Sequence, residues 1–254
     1  MIKKKIAICY FTDHSELKFL NESLRCLAAT IKRHPEYEVK TFIFDDENAE
    51  VKIIKKDLVY PIDIFITNFK RNTTFSGFDA ISGIFEALKN LQNDFHYDYL
   101  VKLDAMTCLN CLDSFFMIEE EITNNGKLPV PLGYFTNFYP GGHPCPYWQN
   151  YNKTAIGLLA DIYNFANTEK GKSLKKQIDA VSGENIVAVN ILHDLPVYVV
   201  DTNYIYNLKG CCNPFIQLVE NYFEYSAVSF RCIPTKHNYE IAYREMKKHV
   251  DSLI

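Results

Sequence analysis

The sequence predicts an α/β protein built on a central, mostly parallel sheet flanked by helices. Three observations carry that prediction. Short apolar runs alternate with helical repeats through the first half of the chain. One of those runs, Tyr97-Asp98-Tyr99-Leu100-Val101-Lys102-Leu103-Asp104, is strand-like and stops at a carboxylate, where open α/β sheets collect ligands. At 254 residues with 48% hydrophobic residues, the chain can bury a large core.

Each element has its own signal. Residues 4–11 read as a buried strand, and Thr12 to Ser15 supply helix-capping chemistry. Leu17, Leu20, Leu24, Leu27, Ala28 and Ile31 then repeat at helical spacing. A second strand, Val39 to Phe44, runs into Asp45-Asp46, and a third covers Ile62 to Thr67. A helix is predicted from Phe75 to Leu91, with Ala80, Ile84, Ala87, Leu88 and Leu91 on one face. The fourth strand is 97–103. Strand and helix are expected to alternate as βαβαβαβ, which implies right-handed crossovers.

The second half reads differently. Residues 126–152 hold Pro129, Pro131, Pro140, Pro144 and Pro146 with Gly133, Gly141 and Gly142, the mark of irregular chain or short strands. Helices are predicted at 153–166 and 183–194, strands at 196–201 and 227–233, and a polar closing helix from about 237. No linker or internal repeat divides the chain. One domain is expected, with residues 1–125 as a nucleotide-binding half and 126–254 as an acceptor-binding half.

Composition excludes several classes. Net charge is −4, with no long basic run, so nucleic acid is not an expected partner. No segment approaches the ~20 apolar residues of a transmembrane helix, and the apolar run after Lys5 is too short for a signal sequence. A soluble cytoplasmic protein is expected, with peripheral attachment to the inner face of a membrane left open. The eight cysteines are expected to be reduced, and Cys9 and Cys26 to be small core residues. A zinc site joining Cys108, Cys111 and Cys211 or Cys212 lacks a second spaced pair. A nucleotidyltransferase would open with a Gly-rich phosphate loop, whereas Tyr10-Phe11-Thr12-Asp13-His14 follows the first strand. No G-x-G-x-x-G is present for a dinucleotide.

The layout resembles a GT-A glycosyltransferase, closest in pattern to the large family 2 group. The likeness rests on Ile6 to Phe11 with Thr12 to Ser15 and Leu17 to Ile31, and on Phe42-Ile43-Phe44-Asp45-Asp46. It rests also on Asn72, Gly77, Ala80, Gly83 and Ala87, and on Leu103-Asp104-Ala105-Met106 against the family's Asp-x-Asp. It covers about residues 4–115 well and the remainder loosely. The resemblance implies a nucleotide-sugar donor held by Thr12, Asp13, Asp45, Asp46, Asn72 and Asp104. Asp13 would serve equally as a helix cap, and Asp45 and Asp46 as an exposed turn. Lys102 is expected to point away from Asp104's neighbours as a sheet-edge charge.

Met106 departs from the family. The last carboxylate of Asp-x-Asp binds the divalent ion, Mn²⁺ or Mg²⁺, that bridges the donor diphosphate, and a thioether is a poor ligand for such hard cations. Three outcomes follow from the resemblance: Asp104 holds a metal with another ligand such as His237; Arg231 and Lys236 neutralise the diphosphate without metal; or catalysis is lost. Restoring a carboxylate at position 106 would then supply the missing ligand.

In the same resemblance, Ser182-Gly183-Glu184-Asn185 matches the element that carries the catalytic base of inverting members, with Glu184 as that base and His143 and His193 secondary. The aromatic loop Asn137 to Trp148 concentrates Tyr139, His143 and Trp148, which can stack on sugar rings of an acceptor. The expected activity is transfer of a sugar from a UDP- or GDP-linked donor to a hydroxyl of a glycan or lipid-linked acceptor, with inversion. A non-catalytic nucleotide-sugar- or glycan-binding protein of the same fold is the alternative.

Overall fold

The structure is a computed structural model and describes residues 3–60, 62–69, 78–110, 112, 149–151, 169, 172–173, 223–225, 229–232 and 239–254. Strand β1 (Lys4–Thr12) leads through a short 3-10 turn, His14–Glu16, into helix α1 (Leu17–Arg33). Strand β2 (Tyr37–Asp46), strand β3 (Ile64–Phe69), helix α2 (Phe78–Asp94) and strand β4 (Tyr99–Asp104) follow. The remaining described elements are β5 (Thr107–Leu109), β6 (Gln149–Tyr151), β7 (Phe223–Tyr225), β8 (Ser229–Cys232) and helix α3 (Tyr239–Asp251).

Five strands form the main sheet in the order β3-β2-β1-β4-β6. The first four are mutually parallel, and β6 runs antiparallel at the edge against β4. Ile6 to Tyr10 of the central strand are completely buried. Both faces of a covered parallel sheet are dry, which is why this strand reads as a continuous apolar run. Its register with β4 is fixed at the start. The Asp98 N–H donates to the Lys5 carbonyl at 2.8 Å, and the Lys5 N–H donates to Asp98 Oδ2 at 2.8 Å.

Asp13 Oδ1 accepts the Ser15 N–H at 2.7 Å and caps the 3-10 turn that feeds helix α1, which closes over Lys32 and Arg33, whose charges suit a helix C-terminus. It buries a wide stripe, because Leu20, Leu24 and Leu27 face the sheet while Phe19 and Cys26 face α3. Its buried hydroxyls hold β5. Ser23 Oγ donates to the Thr107 carbonyl, and Thr30 Oγ1 donates to the Leu109 carbonyl at 2.8 Å. Strand β5 pairs with β8 in a separate sheet ordered β5-β8-β7, all antiparallel.

Two expectations need correction. The crossover from β2 to β3 carries no α-helix but a short 3-10 turn, Lys55–Asp57, because residues 47–63 lack an apolar helical period and are tied down by side-chain caps. The closing helix is amphipathic rather than polar. Ala242, Met246 and Val250 recur every four residues and are fully buried against α1, with Phe19 edge-on to Tyr239 and Tyr243. The strand expected at 227–233 is present as β8, Ser229–Cys232, paired antiparallel with β7. The elements predicted at 153–166, 183–194 and 196–201 lie outside the described residues.

Helix α3 also carries a titratable contact. His249 Nε2 lies 3.2 Å from Asn110 Oδ1, and burial lowers its pKa from 6.5 to about 4. The unfolded chain therefore takes up the proton first, so stability is whole above about pH 6.5 and falls as pH drops towards 4. Urea unfolding at pH 7 and pH 4.5 should show a loss attributable to His249 on the order of 1 kcal/mol, since solvent screens a group that is only partly buried. His249→Asn should remove that part of the dependence. An unchanged pH slope in the variant would mean that His249 is charged in the fold.

Candidate functional site

The carboxyl end of the parallel sheet gathers the candidate residues. Register sets Phe11 level with Phe44 on β2 and with Asp104 on β4. One step further, Thr12 is level with Asp45, and Asp45 with Asn68. Asp45 and Asp104 thus end strands on either side of β1, at the same edge of the sheet, about 10 Å apart across two strand spacings. Successive strand residues alternate between faces. Asp104 shares its face with Lys102 and Phe11, whereas Asp45 follows Ile43 on the face packed by α1.

Asp45 is 1% exposed. Its Oδ2 accepts the Ile53 N–H at 3.0 Å, while Oδ1 is buried without a hydrogen-bond partner among the described residues. Desolvation pushes its carboxyl pKa up, Ile53 and Lys52 pull it down, and the charge of Asp13 adds to the rise. Asp46 Oδ1 accepts the Asn48 N–H at 3.0 Å, and Lys52 Nζ donates to the Asp46 carbonyl. Together these acids fold the 47–53 segment back over the end of β2. They are buried, not an exposed turn, because the loop they cap covers them.

Thr12 is buried and donates from Oγ1 to Glu16 Oε2 at 2.8 Å. Asp13 caps the 3-10 turn through the Ser15 N–H and hydroxyl. Both therefore fix the β1–α1 junction.

Asp104 is the more open acid, with 38% of its side chain exposed. Lys102 does not point away from it. Its Nζ lies 3.6 Å from Asp104 Oδ1 and 5.7 Å from the centroid of the Phe11 ring, and the residue is only 6% exposed. Residues two apart on a strand share a face, so the Lys-x-Asp spacing was the available signal for this pair. Phe11 itself stacks on Phe44 at 4.6 Å and meets Phe69 edge-on at 5.1 Å. This aromatic floor beside the carboxylate was not singled out from the sequence.

Met106 points elsewhere. It packs against the buried cluster of Phe19, Cys26, Cys108, Ala242, Met246 and Val250. The chain turns sharply after Asp104 into β5, whose carbonyls are taken by α1, and this carries position 106 into the apolar layer under α3. Cys108 and Cys26 are buried thiols in that cluster, and Cys9 is buried on β1. A divalent ion needs several hard oxygen donors. Among the described residues no three His, Cys, Asp or Glu side chains converge to hold one. Asp104's carboxylate faces the Lys102 ammonium, and its expected co-ligand His237 lies outside the described residues.

Strand β8 sets Arg231 opposite Thr107, three residues beyond Asp104. Strand β6 begins one residue after Trp148 and pairs with Leu100 to Lys102 of β4. Asn72, Tyr139, His143, Trp148, Glu184, His193, Lys236 and His237 lie outside the described residues. A groove of about 460 Å³ lies away from the strand ends, between α1 and α3. There Arg25 already pairs with Glu22 and Asp251, each at 2.7 Å.

No protein-family model matches the chain, and no curated protein matches its sequence. Solved structures do. The glycosyltransferase GlyE of Streptococcus pneumoniae TIGR4 superposes with a TM-score of 0.52 at 9% identity, over 99% of this chain. The chain spans 62% of that protein's length. An active-site mutant of LgtC superposes with a TM-score of 0.53 at 12% identity, over 97% of this chain and 94% of that one. The galactosyltransferase LgtC in complex with donor and acceptor sugar analogues superposes with a TM-score of 0.50 at 9% identity, over 97% and 95%. The chain has the GT-A fold.

Proposed function

We propose, on the premise of that fold, that the chain is a glycosyltransferase. It takes a sugar from a UDP- or GDP-linked donor and passes it to a hydroxyl of a glycan or lipid-linked acceptor. The observation that carries this reading is Asp104, a partly exposed carboxylate at the carboxyl end of β4, beside the central strand and over a floor of Phe11 and Phe44. Ligands of open α/β sheets gather at that edge. In this reading Asp104 accepts hydrogen bonds from donor hydroxyls, and Asp45 and Asp46 hold the loop that flanks the nucleoside. Arg231 and Lys236 offset charge on the departing diphosphate. Glu184 takes the proton of the attacking acceptor hydroxyl, and Tyr139, His143 and Trp148 meet the acceptor. We assign the activity to the cytoplasm, with contact to a membrane surface where the acceptor is lipid-linked. Among the described residues no helix is long and apolar enough to cross a membrane.

A thermal-shift panel of UDP, GDP and their sugars tests it. A ligand at a hundred times its Kd should stabilise the fold by about 2.7 kcal/mol, raising Tm by about 5–10 °C. No shift with any member of the panel would sink the reading. The packing of Met106 away from Asp104 favours a second one, a nucleotide-sugar-binding protein without turnover. Release of UDP or GDP in the presence of acceptor separates the two.

A further inference from the structure

We infer that the crossover loop from β2 to β3 is a membrane-docking surface. Val51, Ile54 and Val59 enter the interface of an anionic bilayer, and Lys55 and Lys56 meet its headgroups. That the acceptor is then lipid-linked rests on the transferase reading proposed above; bilayer binding itself does not.

Val51, Ile54 and Val59 are 54%, 44% and 65% exposed. One exposed aliphatic side chain is ordinary, but three on a short loop with a fixed backbone mark a contact surface. The loop is tied at both ends. The Ile53 N–H donates to Asp45 Oδ2 at 3.0 Å, and the Ile53 side chain is buried in the core. The Val59 N–H donates to Asn21 Oδ1 at 2.9 Å, and Asn21 Nδ2 donates to the Asp57 carbonyl at 3.0 Å. Leu58 packs against the same core. Apolar groups that folding has left in water are thus held in place, so binding costs little further ordering of the chain.

Charge and residue type select the occupant. Lys55 and Lys56 are exposed between Ile54 and Val59. The one acid from Val51 to Tyr60 is Asp57, whose Oδ2 accepts the Ile54 N–H at 3.1 Å. Glu47 and Glu50 come earlier, where the chain leaves β2, so the positive stretch is the second half of the loop. Val59 and Tyr60 also line the groove of about 460 Å³ between α1 and α3, and Lys18 and Lys247 stand exposed along it. A protein interface is centred on a packed aromatic or Arg anchor, and Val51 to Val59 holds neither. Aliphatic tips beside lysines fit lipid, because lysine stems lie along apolar surface while their ammonium groups stay with anionic headgroups. Ile53 meets Asp45 at the tip of β2, so a bilayer on this loop lies beside the sheet edge that carries Asp104.

The test is co-sedimentation of the full chain with vesicles of phosphatidylcholine alone and of phosphatidylcholine with about a third phosphatidylglycerol. Wild type should bind the anionic vesicles about tenfold or more tightly than the neutral ones, and added salt should weaken that binding. A triple variant, Val51→Asn with Ile54→Asn and Val59→Asn, should lose about tenfold or more on anionic vesicles. Lys55→Gln with Lys56→Gln should lose about tenfold on anionic vesicles and leave binding to neutral ones unchanged. Circular dichroism confirms each fold. If the triple variant does not fold, the wild-type lipid comparison and the lysine pair decide. Wild type that stays in the supernatant with both vesicles, or variants that bind like wild type, would overturn the inference. So would a concentration-dependent dimer that the triple variant dissociates, which gives this face to a second copy of the chain. Vesicle binding lost in both variants, with no sugar transfer to any acceptor, would uphold the docking surface and sink the transferase reading. Transfer to a soluble glycan by a chain that binds no vesicle would do the reverse.

Discussion

Replacing Asp104 with alanine is expected to lower sugar transfer by about 10²- to 10³-fold, or about 3–4 kcal/mol of transition-state stabilisation. The expectation follows from where the residue stands. It ends β4 level with Phe11, keeps 38% of its side chain open, and is held as an anion against Lys102. Fold stability should fall as well, since the change takes a carboxylate from beside the buried Lys102 ammonium. Asp104→Asn, which preserves shape, separates the loss of charge from the loss of packing. The measurement is kcat/KM for the donor, with Tm recorded on the same preparations. An Asp104→Ala enzyme within tenfold of wild type would remove this carboxylate from the site.

Met106→Asp is expected to destabilise the fold by about 1–2 kcal/mol, because it sets a carboxylate at the partly buried edge of an apolar layer. From the sequence the same substitution would complete an Asp-x-Asp pair and supply a metal ligand. In the structure the side chain is partly buried against the cluster of Phe19, Cys108 and Met246, so the substitution also costs packing. Met106→Leu, nearly equal in volume, should cost less than about 1.5 kcal/mol. Urea unfolding measures both. A Met106→Asp chain as stable as wild type that also binds Mn²⁺ would mean that position 106 faces the ligand.

The first four strands and α1 were legible because each is a local pattern. A buried parallel strand must be apolar on both faces, as Ile6 to Tyr10 are, and a helix that covers it must repeat apolar residues every three to four positions. The carboxylate closing β4 was legible for the same reason: an apolar run that ends in Asp announces a strand tip. Local pattern was silent where the partner lies far away in the chain. Strand β5 is three residues long and exists because Ser23 and Thr30, some eighty residues earlier, take its carbonyls. The closing helix looked polar until Phe19 supplied the surface for Ala242, Met246 and Val250.

By itself, then, the sequence determined the layered α/β class, the order of the parallel strands' formation along the chain, and the acids that end β2 and β4. Those depend on periodicity and on the cost of burying charge, which each segment carries with it. Only the tertiary structure decided what those acids face. Asp45 and Asp46 are adjacent, so pleating sends them to opposite faces, and both are drawn into capping the loop above them. Asp104 gained a buried ammonium as its neighbour, and Met106 packs, partly buried, against the layer under α3. A side chain's partner is set by which strands lie side by side and how sharply the chain turns between them, and no local run of residues encodes that.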